Sequence, residues 1–567
     1  MDDLDASGDS VIISATGAIE ESTSTDTTTD ILAATIDLAA TTGIGGTRVI
    51  QLAGANISAD TTNGDIDLDN TTAVATTVSS LTTGAGAIQF DQDGSGSVSF
   101  TTVTTGNGAI SLTSDDSNLH AGAVSSGGVN NISLITTNAG SVTVDDVNAG
   151  TNSVFVSAAG GIDESTSTDT ASDIIATNID LDAATGIGAS RVFQLAGSNI
   201  SADTTDGDID LDNKTTAATT VSSLTSATGD IRFDQSDTGA VTFASVTTGG
   251  AISLSSDNAD LTASVVTASG TGNISITTAA AGDINVGSVN AGSNTATVNA
   301  AGSIEESGAD ATADIVAAAL DLDAGTGIGT AATLEVTGAS IAADSTAGNI
   351  DIDSLATVAV TVTSLTTGGT GTLQFDQTGN QALQITSAGT ADGAISITNT
   401  GANLTAVGVS TGNNNQIDLQ TLVSGSILVD NVNAGTGNLN VISAGAIDET
   451  VDEPAVDLAG GVVTLTAVSG IGETNDPEIS ASTSLNVDNT STGNIDIRVI
   501  GDVTLTGNVR NQAVGGGLAI EAVNGSLNTS VSTLSTSNGQ IDLSATDTYG
   551  TPVTVTNGSG RILRGGG

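Results

Sequence analysis

Hydrophobic and polar residues alternate strictly in the segment GDIDLDN. The apolar residues are Ile66 and Leu68, and they are separated by Asp65, Asp67 and Asp69. A period of two residues is typical of a β-strand, because successive side chains point to opposite faces. The segment therefore predicts a strand with one apolar face and one acidic, solvated face.

Similar strands recur along the chain at intervals of about 22 residues, which is a repeat length typical of stacked coils. Equal steps from Ile66 lead to apolar residues with a Gly or Asn one or two positions before them, namely Ile44, Ile88, Ile110, Ile132 and Val154. Strands at a fixed pitch with turn residues before them indicate a solenoid. We predict an all-β parallel β-helix with about 22 residues per coil and coils about 4.8 Å apart. A second, less regular strand is expected near Ile57, Val78, Val98 and Val142.

A longer repeat overlies the short one and divides the chain into modules. The glycine–isoleucine–acid–acid motif at Ile19 returns at Ile162, Ile304 and Ile447, and only the fourth copy contains prolines. The sequence thus predicts an amino-terminal edge (1–16), three modules (17–159, 160–301 and 302–444) and a divergent fourth module (445–567) in one continuous rod. We expect six coils per module, one of them with about 11 extra residues near Ser22–Asp30 and Ser165–Asp173. Roughly 24 coils would give a length on the order of 115 Å.

Composition and charge exclude some classes of binding partner. Aromatic residues make up 1% of the chain, there is no cysteine, and the formal net charge is −56. Such a surface repels nucleic acid and anionic lipid and favours cations or basic partners. No apolar run is long enough to predict a membrane span. The start, MDDLD, is unlike a signal peptide, so a secreted protein would contain this chain as a mature or excised piece.

The repeat texture resembles that of a known family. Strands such as GAIQF, GDIDL and GSVTV, with Ser, Thr, Asn, Asp and Ala between them, are similar to those of large bacterial exoproteins of the filamentous-haemagglutinin type. The resemblance implies a right-handed parallel β-helix, export by a dedicated outer-membrane partner, and adhesion at the bacterial cell surface.

The aspartate strands are candidate cation sites. Three aspartates lie on one strand face in each of the first two modules, and hard cations bind carboxylate oxygens. The alternative is a solvated face that keeps the protein soluble. The candidate residues are Asp65, Asp67 and Asp69, repeated as Asp208, Asp210 and Asp212.

Adjacent acids after the module isoleucine form a second candidate. They are Glu20 and Glu21 in module 1 and Asp163 and Glu164 in module 2, with counterparts in modules 3 and 4. A carboxylate at this point could accept hydrogen bonds from a turn or loop backbone, bind a cation, or contact a partner. These three roles remain alternatives, and Ca²⁺ is the one cofactor considered.

No residue pattern predicts catalysis. His120 is the single histidine, and the acids repeat between modules whereas bases are scarce. A group repeated in every module fits a scaffold better than one active site. We therefore expect a structural or adhesive, extracellular, stiff acidic rod without enzymatic activity. Its expected partners are other copies end to end, its longer parent chain, or a host or neighbouring-cell surface or glycan. The alternatives are a β-helical enzyme acting on polysaccharide and a cation-binding or ice-binding solenoid.

Overall fold

The computed structural model describes residues 3–22, 28–165, 170–546, 555–556 and 561–564. Within these ranges the chain forms strands and no helix, and it is a parallel β-solenoid of about 24 turns spaced roughly 22 residues apart. Two compact units divide the chain, Met1–Gly282 and Asp283–Gly567. Both units contain stacked, parallel strands.

The strands of the first unit are short and closely spaced. They are β1 (Leu4–Ala15), β2 (Ala18–Ile19), β3 (Ile31–Ala40), β4 (Gly43–Ile44), β5 (Ile50–Thr61), β6 (Ile66–Asn70), β7 (Thr76–Thr83), β8 (Ile88–Gln92), β9 (Val98–Thr105), β10 (Ile110–Ser114), β11 (Leu119–Ser126), β12 (Ile132–Thr136), β13 (Val142–Asn148), β14 (Ser153–Ala158), β15 (Ile162–Glu164), β16 (Ile174–Ile175), β17 (Asn178–Ala183), β18 (Phe193–Ala196), β19 (Asn199–Thr204), β20 (Ile209–Asn213), β21 (Thr219–Ser226), β22 (Ile231–Gln235), β23 (Val241–Phe243), β24 (Val246–Thr248), β25 (Ile252–Ser256), β26 (Leu261–Ala268) and β27 (Ile274–Thr278).

The strands of the second unit are of similar length, with the longest ones between Leu458 and Ser537. They are β28 (Ile284–Asn290), β29 (Thr295–Ala300), β30 (Ser303–Glu306), β31 (Ile315–Val316), β32 (Ala319–Ala324), β33 (Gly327–Ile328), β34 (Leu334–Thr337), β35 (Ser340–Ser345), β36 (Ile350–Ser354), β37 (Val360–Thr367), β38 (Leu373–Gln377), β39 (Leu383–Ile385), β40 (Ala388–Thr390), β41 (Ile395–Asn399), β42 (Leu404–Thr411), β43 (Ile417–Thr421), β44 (Ile427–Asn433), β45 (Asn438–Ser443), β46 (Ile447–Glu449), β47 (Leu458–Ala467), β48 (Glu478–Asn489), β49 (Ile495–Ile500), β50 (Val503–Val514), β51 (Leu518–Val523), β52 (Leu527–Ser537), β53 (Ile541–Thr546), β54 (Val555–Thr556) and β55 (Arg561–Arg564).

The pairing register confirms the predicted lattice of coils through the first module. Ile66 pairs with Ile88, which pairs with Ile110, and the column continues to Ile132 and Val154. Identical apolar side chains therefore stack directly above one another, and each buries its neighbour. This stacking explains how a chain with few aromatic residues builds a continuous core.

A second column of strands runs through β5, β7, β9, β11 and β13. Ile57 pairs with Val78, as the sequence suggests. Val98 and Val142 lie in the same column but two positions earlier in its register, opposite Thr76 and Leu119. Each coil thus contributes one strand to each of two columns. One column consists of five-residue strands and the other of longer strands.

The two columns exchange between modules, which corrects the prediction of six coils, one of them with extra residues. Val154 does not stack on Ile187; it pairs with Ile179, whereas Ile187 pairs with Ile162 of the other column. A module is six and a half coils long, so equivalent strands of modules 1 and 2 lie in different columns. The coil from Ile162 to Ile187 has no room for half a coil of extra residues, and part of its loop lies outside the described residues.

Phenylalanines are among the largest fully buried side chains of the core. Phe90 and Phe100 are fully buried with their ring centroids 5.2 Å apart and their planes at 87°. Phe233 and Phe243 repeat the same edge-to-face pair in module 2. This geometry is favourable beyond the area it buries.

Polar side chains are also buried where the short strand ends. The Asn70 amide nitrogen donates to Gly54 O, Thr76 Oγ1 and Gln92 Oε1, and Asn70 Oδ1 accepts from Gly54 N at 3.0 Å. Asn213 makes the same four bonds in module 2. A fully buried asparagine is tolerated because each of its hydrogen-bonding groups has a partner.

Turn glycines permit the coils to approach closely. A Cβ atom on Gly64 would lie 1.7 Å from Thr42 O of the preceding coil, and one on Gly86 would lie 2.2 Å from Gly64 O. Any side chain there would separate the coils, so the glycine before each of these strands is a stacking requirement.

Candidate functional site

The aspartate strand of module 1 has the predicted faces. Ile66 and Leu68 are fully buried, and Asp67 and Asp69 point outward but are half-buried between neighbouring coils. Burial, with repulsion from Asp91 next, raises the pKa of Asp67 to about 6. Burial and the adjacent Asp93 raise the pKa of Asp69 to about 7. The outer face is therefore less solvated than alternation alone suggests.

The other aspartates of these strands have partners within the protein. Asp65 accepts from Ala87 N and Asp208 from Asp230 N, both at 2.8 Å. Asp210 faces Arg232 at 3.4 Å, and Asp212 faces Lys214 at the same distance.

The structure does not bring the two triads together, because a whole module of stacked coils separates β6 from β20. Among the described residues, neither triad offers three carboxylate oxygens within 4.8 Å of one another.

The first acid of each adjacent pair accepts hydrogen bonds from a loop backbone, which is one of the three roles considered for it. Glu20 accepts from Thr47 N at 3.2 Å and Arg48 N at 3.0 Å, in the loop of the following coil. Asp163 accepts from Ser190 N at 3.2 Å. The counterparts in the later modules do the same: Glu305 accepts a hydrogen bond from Ala331 N, and Asp448 accepts one from Thr474 N.

The second acid of the pair points inward. Glu21, Glu164 and Glu449 are 4%, 5% and 1% exposed. Each lies in a cluster with an aspartate and with a third residue that comes later in the chain. We call these the loop clusters; they are Glu21–Asp30–Gln51, Glu164–Asp173–Gln194, Glu306–Asp314–Glu335 and Glu449–Asp457–Glu478.

One backbone arrangement holds every loop cluster. Asp30 N donates to Gln51 O at 2.8 Å, and Gln51 N donates to Asp30 Oδ2 at 2.9 Å. The second of these bonds recurs at 2.7, 3.0 and 2.8 Å in modules 2, 3 and 4. The aspartate is thus fixed against the third residue in all four modules.

The third residue of the loop cluster differs between modules. In module 1 it is Gln51, whose amide nitrogen, in the orientation that its neighbours require, lies 2.8 Å from Asp30 Oδ2. In modules 3 and 4 it is Glu335 and Glu478. A carboxylate cannot supply that donor and adds a negative charge. One oxygen from each acid of these two clusters lies within 4.8 Å of the other two.

The module 4 cluster is the most buried. Glu449, Asp457 and Glu478 are 1%, 2% and 1% exposed. Arg498 Nη1 donates to Glu478 Oε1 at 2.5 Å, and the same guanidinium lies within 4 Å of Asp476 and Glu521. One arginine is therefore shared among several carboxylates.

Burial raises the pKa values throughout these clusters. It raises the pKa of Asp457 to about 8, with the adjacent Glu449 contributing. It raises the pKa of Glu478 to about 7, although Arg498 opposes the change. Burial also raises the pKa of Glu449, against weaker effects of Asp457 and the Glu453 backbone. In module 3 it raises the pKa of Asp314 to about 7.

Sequence reasoning named Glu21 and Glu164 but missed their partners. The signal was present, since Asp30, Asp173, Asp314 and Asp457 recur at the module spacing and each precedes an apolar strand residue. Alternation from the buried Ile19 also places Glu21 on the inner face.

Of the other surface features, one repeats between modules and one, His120, does not. Small residues and aspartates line equivalent surface recesses in three modules, with Asp60, Asp203 and Asp344 at the same position in each. His120 is half-buried, 3.2 Å from Thr143 Oγ1 and 3.4 Å from Asp145.

Comparison with protein-family models, curated proteins and solved structures finds no match to this chain. Over the part of the chain that the structure describes, no helix is long and apolar enough to cross a membrane.

Proposed function

We propose that this chain is the structural and adhesive repeat region of a secreted bacterial surface protein, in which it acts as an acidic scaffold. The observation that carries the proposal is repetition of chemistry together with repetition of fold. The loop cap at Glu20 and the surface recess at Asp60 both have counterparts in later modules. An enzyme needs one constellation, whereas a scaffold presents the same surface many times.

The resemblance to filamentous-haemagglutinin-type exoproteins supports the extracellular part of the proposal. The strands and the small polar residues between them share that texture, and the solenoid fold is the one the resemblance implies. The net charge of −56 suits a surface that stays soluble and contacts basic or cation-bridged partners.

Localisation and adhesion test the proposal. Antibodies to the chain should label intact source cells, and beads coated with the chain should bind host-cell or glycan surfaces. Beads coated with polyglutamate at equal charge density are the control for charge alone. Labelling only after lysis, or binding no different from that of polyglutamate beads, would contradict the proposal.

A degradation assay separates scaffold from enzyme. Incubation with a panel of acidic and neutral polysaccharides should release no new reducing ends. Release that a single substitution abolishes would replace the scaffold by a β-helical enzyme.

A further inference from the structure

The module 4 loop cluster contains buried carboxylate oxygens without donors. Among the described residues, neither carboxylate oxygen of Glu449 makes a hydrogen bond of good geometry, although Asp457 and the Glu453 backbone lie beside it, and Glu478 Oε2 has no such bond either. Both residues are only 1% exposed. An unpartnered, buried charged group is among the most costly features of a folded protein. When they are ionised, these oxygens therefore need a cation, and without one the acids remain protonated.

Modules 1 and 2 show how the same backbone avoids this need. Their third residue is glutamine, and the Gln51 amide donates to Asp30. They also contain Arg48 and Arg191, whose Nη1 atoms donate to carbonyl groups in the segments that begin at Glu21 and Glu164. In module 4 the position of Arg48 is occupied by Asn475, and the glutamine has become Glu478. Asn475 still donates to Glu449 O, at 3.5 Å, but a carboxylate replaces the glutamine amide, so that one donor is missing and one negative charge is added at the same place.

The charge balance of the module 4 cluster points to a divalent partner. Glu449, Asp457 and Glu478 carry three negative charges when ionised, and Arg498 offers one positive charge that it shares with two further acids. At least two negative charges remain. We propose that the Glu449–Asp457–Glu478 cluster binds one hard divalent cation, with Ca²⁺ as the preferred ion. The Glu306–Asp314–Glu335 cluster is a second, more open site of the same kind.

The donor set selects the class of ion. All three ligands are carboxylates, which suit hard cations, and histidine or cysteine is absent from the cluster. Three oxygens within 4.8 Å of one another lie within about 2.8 Å of a common centre, so that small side-chain shifts would bring them to the Ca²⁺–oxygen distance of about 2.4 Å. Mg²⁺ requires shorter bonds and usually retains several waters. A cluster this buried leaves little room for them.

Binding would join separate segments of the coil. Glu449 ends β46, Asp457 directly precedes β47, and Glu478 begins β48. The segment between Glu449 and Asp457 forms an exposed loop. A cation held by all three acids would close this loop onto the next coil. The site goes beyond the scaffold function, because it makes the stability of one module depend on an ion.

Glu478→Gln is the central test, since it recreates the glutamine with which modules 1 and 2 fold. Asp452→Asn is the matched control, because it removes one charge from an exposed position in the same loop. The full chain is titrated with CaCl₂ at pH 7.5 in 150 mM NaCl, with MgCl₂ as a parallel series, by calorimetry. Direct-excitation Tb³⁺ luminescence then counts coordinated waters from lifetimes in H₂O and D₂O.

We expect the affinity for one bound Ca²⁺ ion to fall at least tenfold in Glu478→Gln and to remain unchanged in Asp452→Asn. Protection of the 450–456 loop from proteolysis by Ca²⁺ should disappear only in Glu478→Gln. Equal Ca²⁺ responses of the two variants, or a Tb³⁺ ion with a nearly complete water shell, would overturn the proposal.

The reciprocal substitution, in module 1, tests whether three acids on this backbone are sufficient to bind Ca²⁺. Gln51→Glu gives module 1 the three acids of module 4, and it should add a Ca²⁺ equivalent to the chain. A folded Gln51→Glu variant with no additional equivalent would show that three acids on this backbone do not form the site.

Discussion

Asn70→Ser tests the buried polar network at the end of the short strands. The wild-type amide makes four hydrogen bonds in a fully buried position, two of them with Gly54. Serine is smaller and has one hydroxyl, so it cannot reach all of these groups. The equivalent position in module 3 is naturally Ser354, and there both Ser354 Oγ and Gln377 Oε1 lack partners within the described ranges.

The expected cost follows from the groups left behind. Gly54 N–H and Gln92 Oε1 would lose their bonds to Asn70, whereas Gly54 O would keep the Thr76 hydroxyl at 3.3 Å. Each unsatisfied buried group costs about 1–3 kcal/mol. The serine hydroxyl or an entering water can satisfy one of them in part. We therefore expect a local loss of roughly 2–4 kcal/mol.

Hydrogen exchange is the appropriate assay, because a long repeat array need not unfold in one step. The amide of Gly54 and its neighbours in β5 should exchange roughly 30-fold to 1,000-fold faster, at about 1.4 kcal/mol per tenfold. Asn63→Ser, at an exposed turn position, is the control and should change exchange little. Unchanged protection of β5 in Asn70→Ser would refute the reasoning, as would equal effects of the two variants. Ser354→Asn should slow exchange in module 3.

Three further predictions concern the core, the acidic face and the loop cap. Ile66→Asp places a carboxylate at a fully buried position and should cost at least several kcal/mol, measured as loss of exchange protection in the coils on either side. Asp67→Asn should stabilise its own and the adjacent coils by about 1 kcal/mol at pH 8 and leave them unchanged at pH 4, measured as exchange protection at both pH values. The sign follows because the folded pKa of Asp67 is raised to about 6, so wild-type stability falls as the pH rises from about 4 to 6 and stays lower above it. A larger effect at pH 4 would contradict this. Glu20→Ala removes the acceptor for two loop amides and should cost about 1 kcal/mol, with faster exchange at Thr47 and Arg48; an unchanged loop would show that the cap is dispensable.

The sequence predicts the strand faces and the pitch well, because both are periodic. Ile66 and Ile88 stack since they are one coil apart, and no long-range information is needed. The exchange of columns could not be predicted, because the spacing between Val154 and Ile187 does not show which column each residue belongs to. Pairing with Ile179 and Ile162 decides it.

The loop clusters show a different limit of sequence reasoning. Glu449 and Glu478 are far apart in the chain and meet only after two coils have stacked. Their inward direction follows from alternation, but their convergence depends on how the intervening loop returns. Asp67 is likewise half-buried because of the neighbouring coils. Alternation within one strand gives the direction of its side chain but not the cover that other coils provide.

Because each module contains a half-coil, equivalent strands alternate between the two columns from one module to the next. Segments 51–70 and 194–213 are nearly identical, so genetic recombination between them would delete or duplicate one module. Every local contact would survive, because the strands of one module can take the places of their equivalents. The strands of the first unit that follow would nevertheless move to the other column, and a surface that faced one side of that unit would face the other. Loss or gain of two modules would restore the original display. Length variants with odd and even numbers of modules would thus differ in the face they present, although they would not differ in fold.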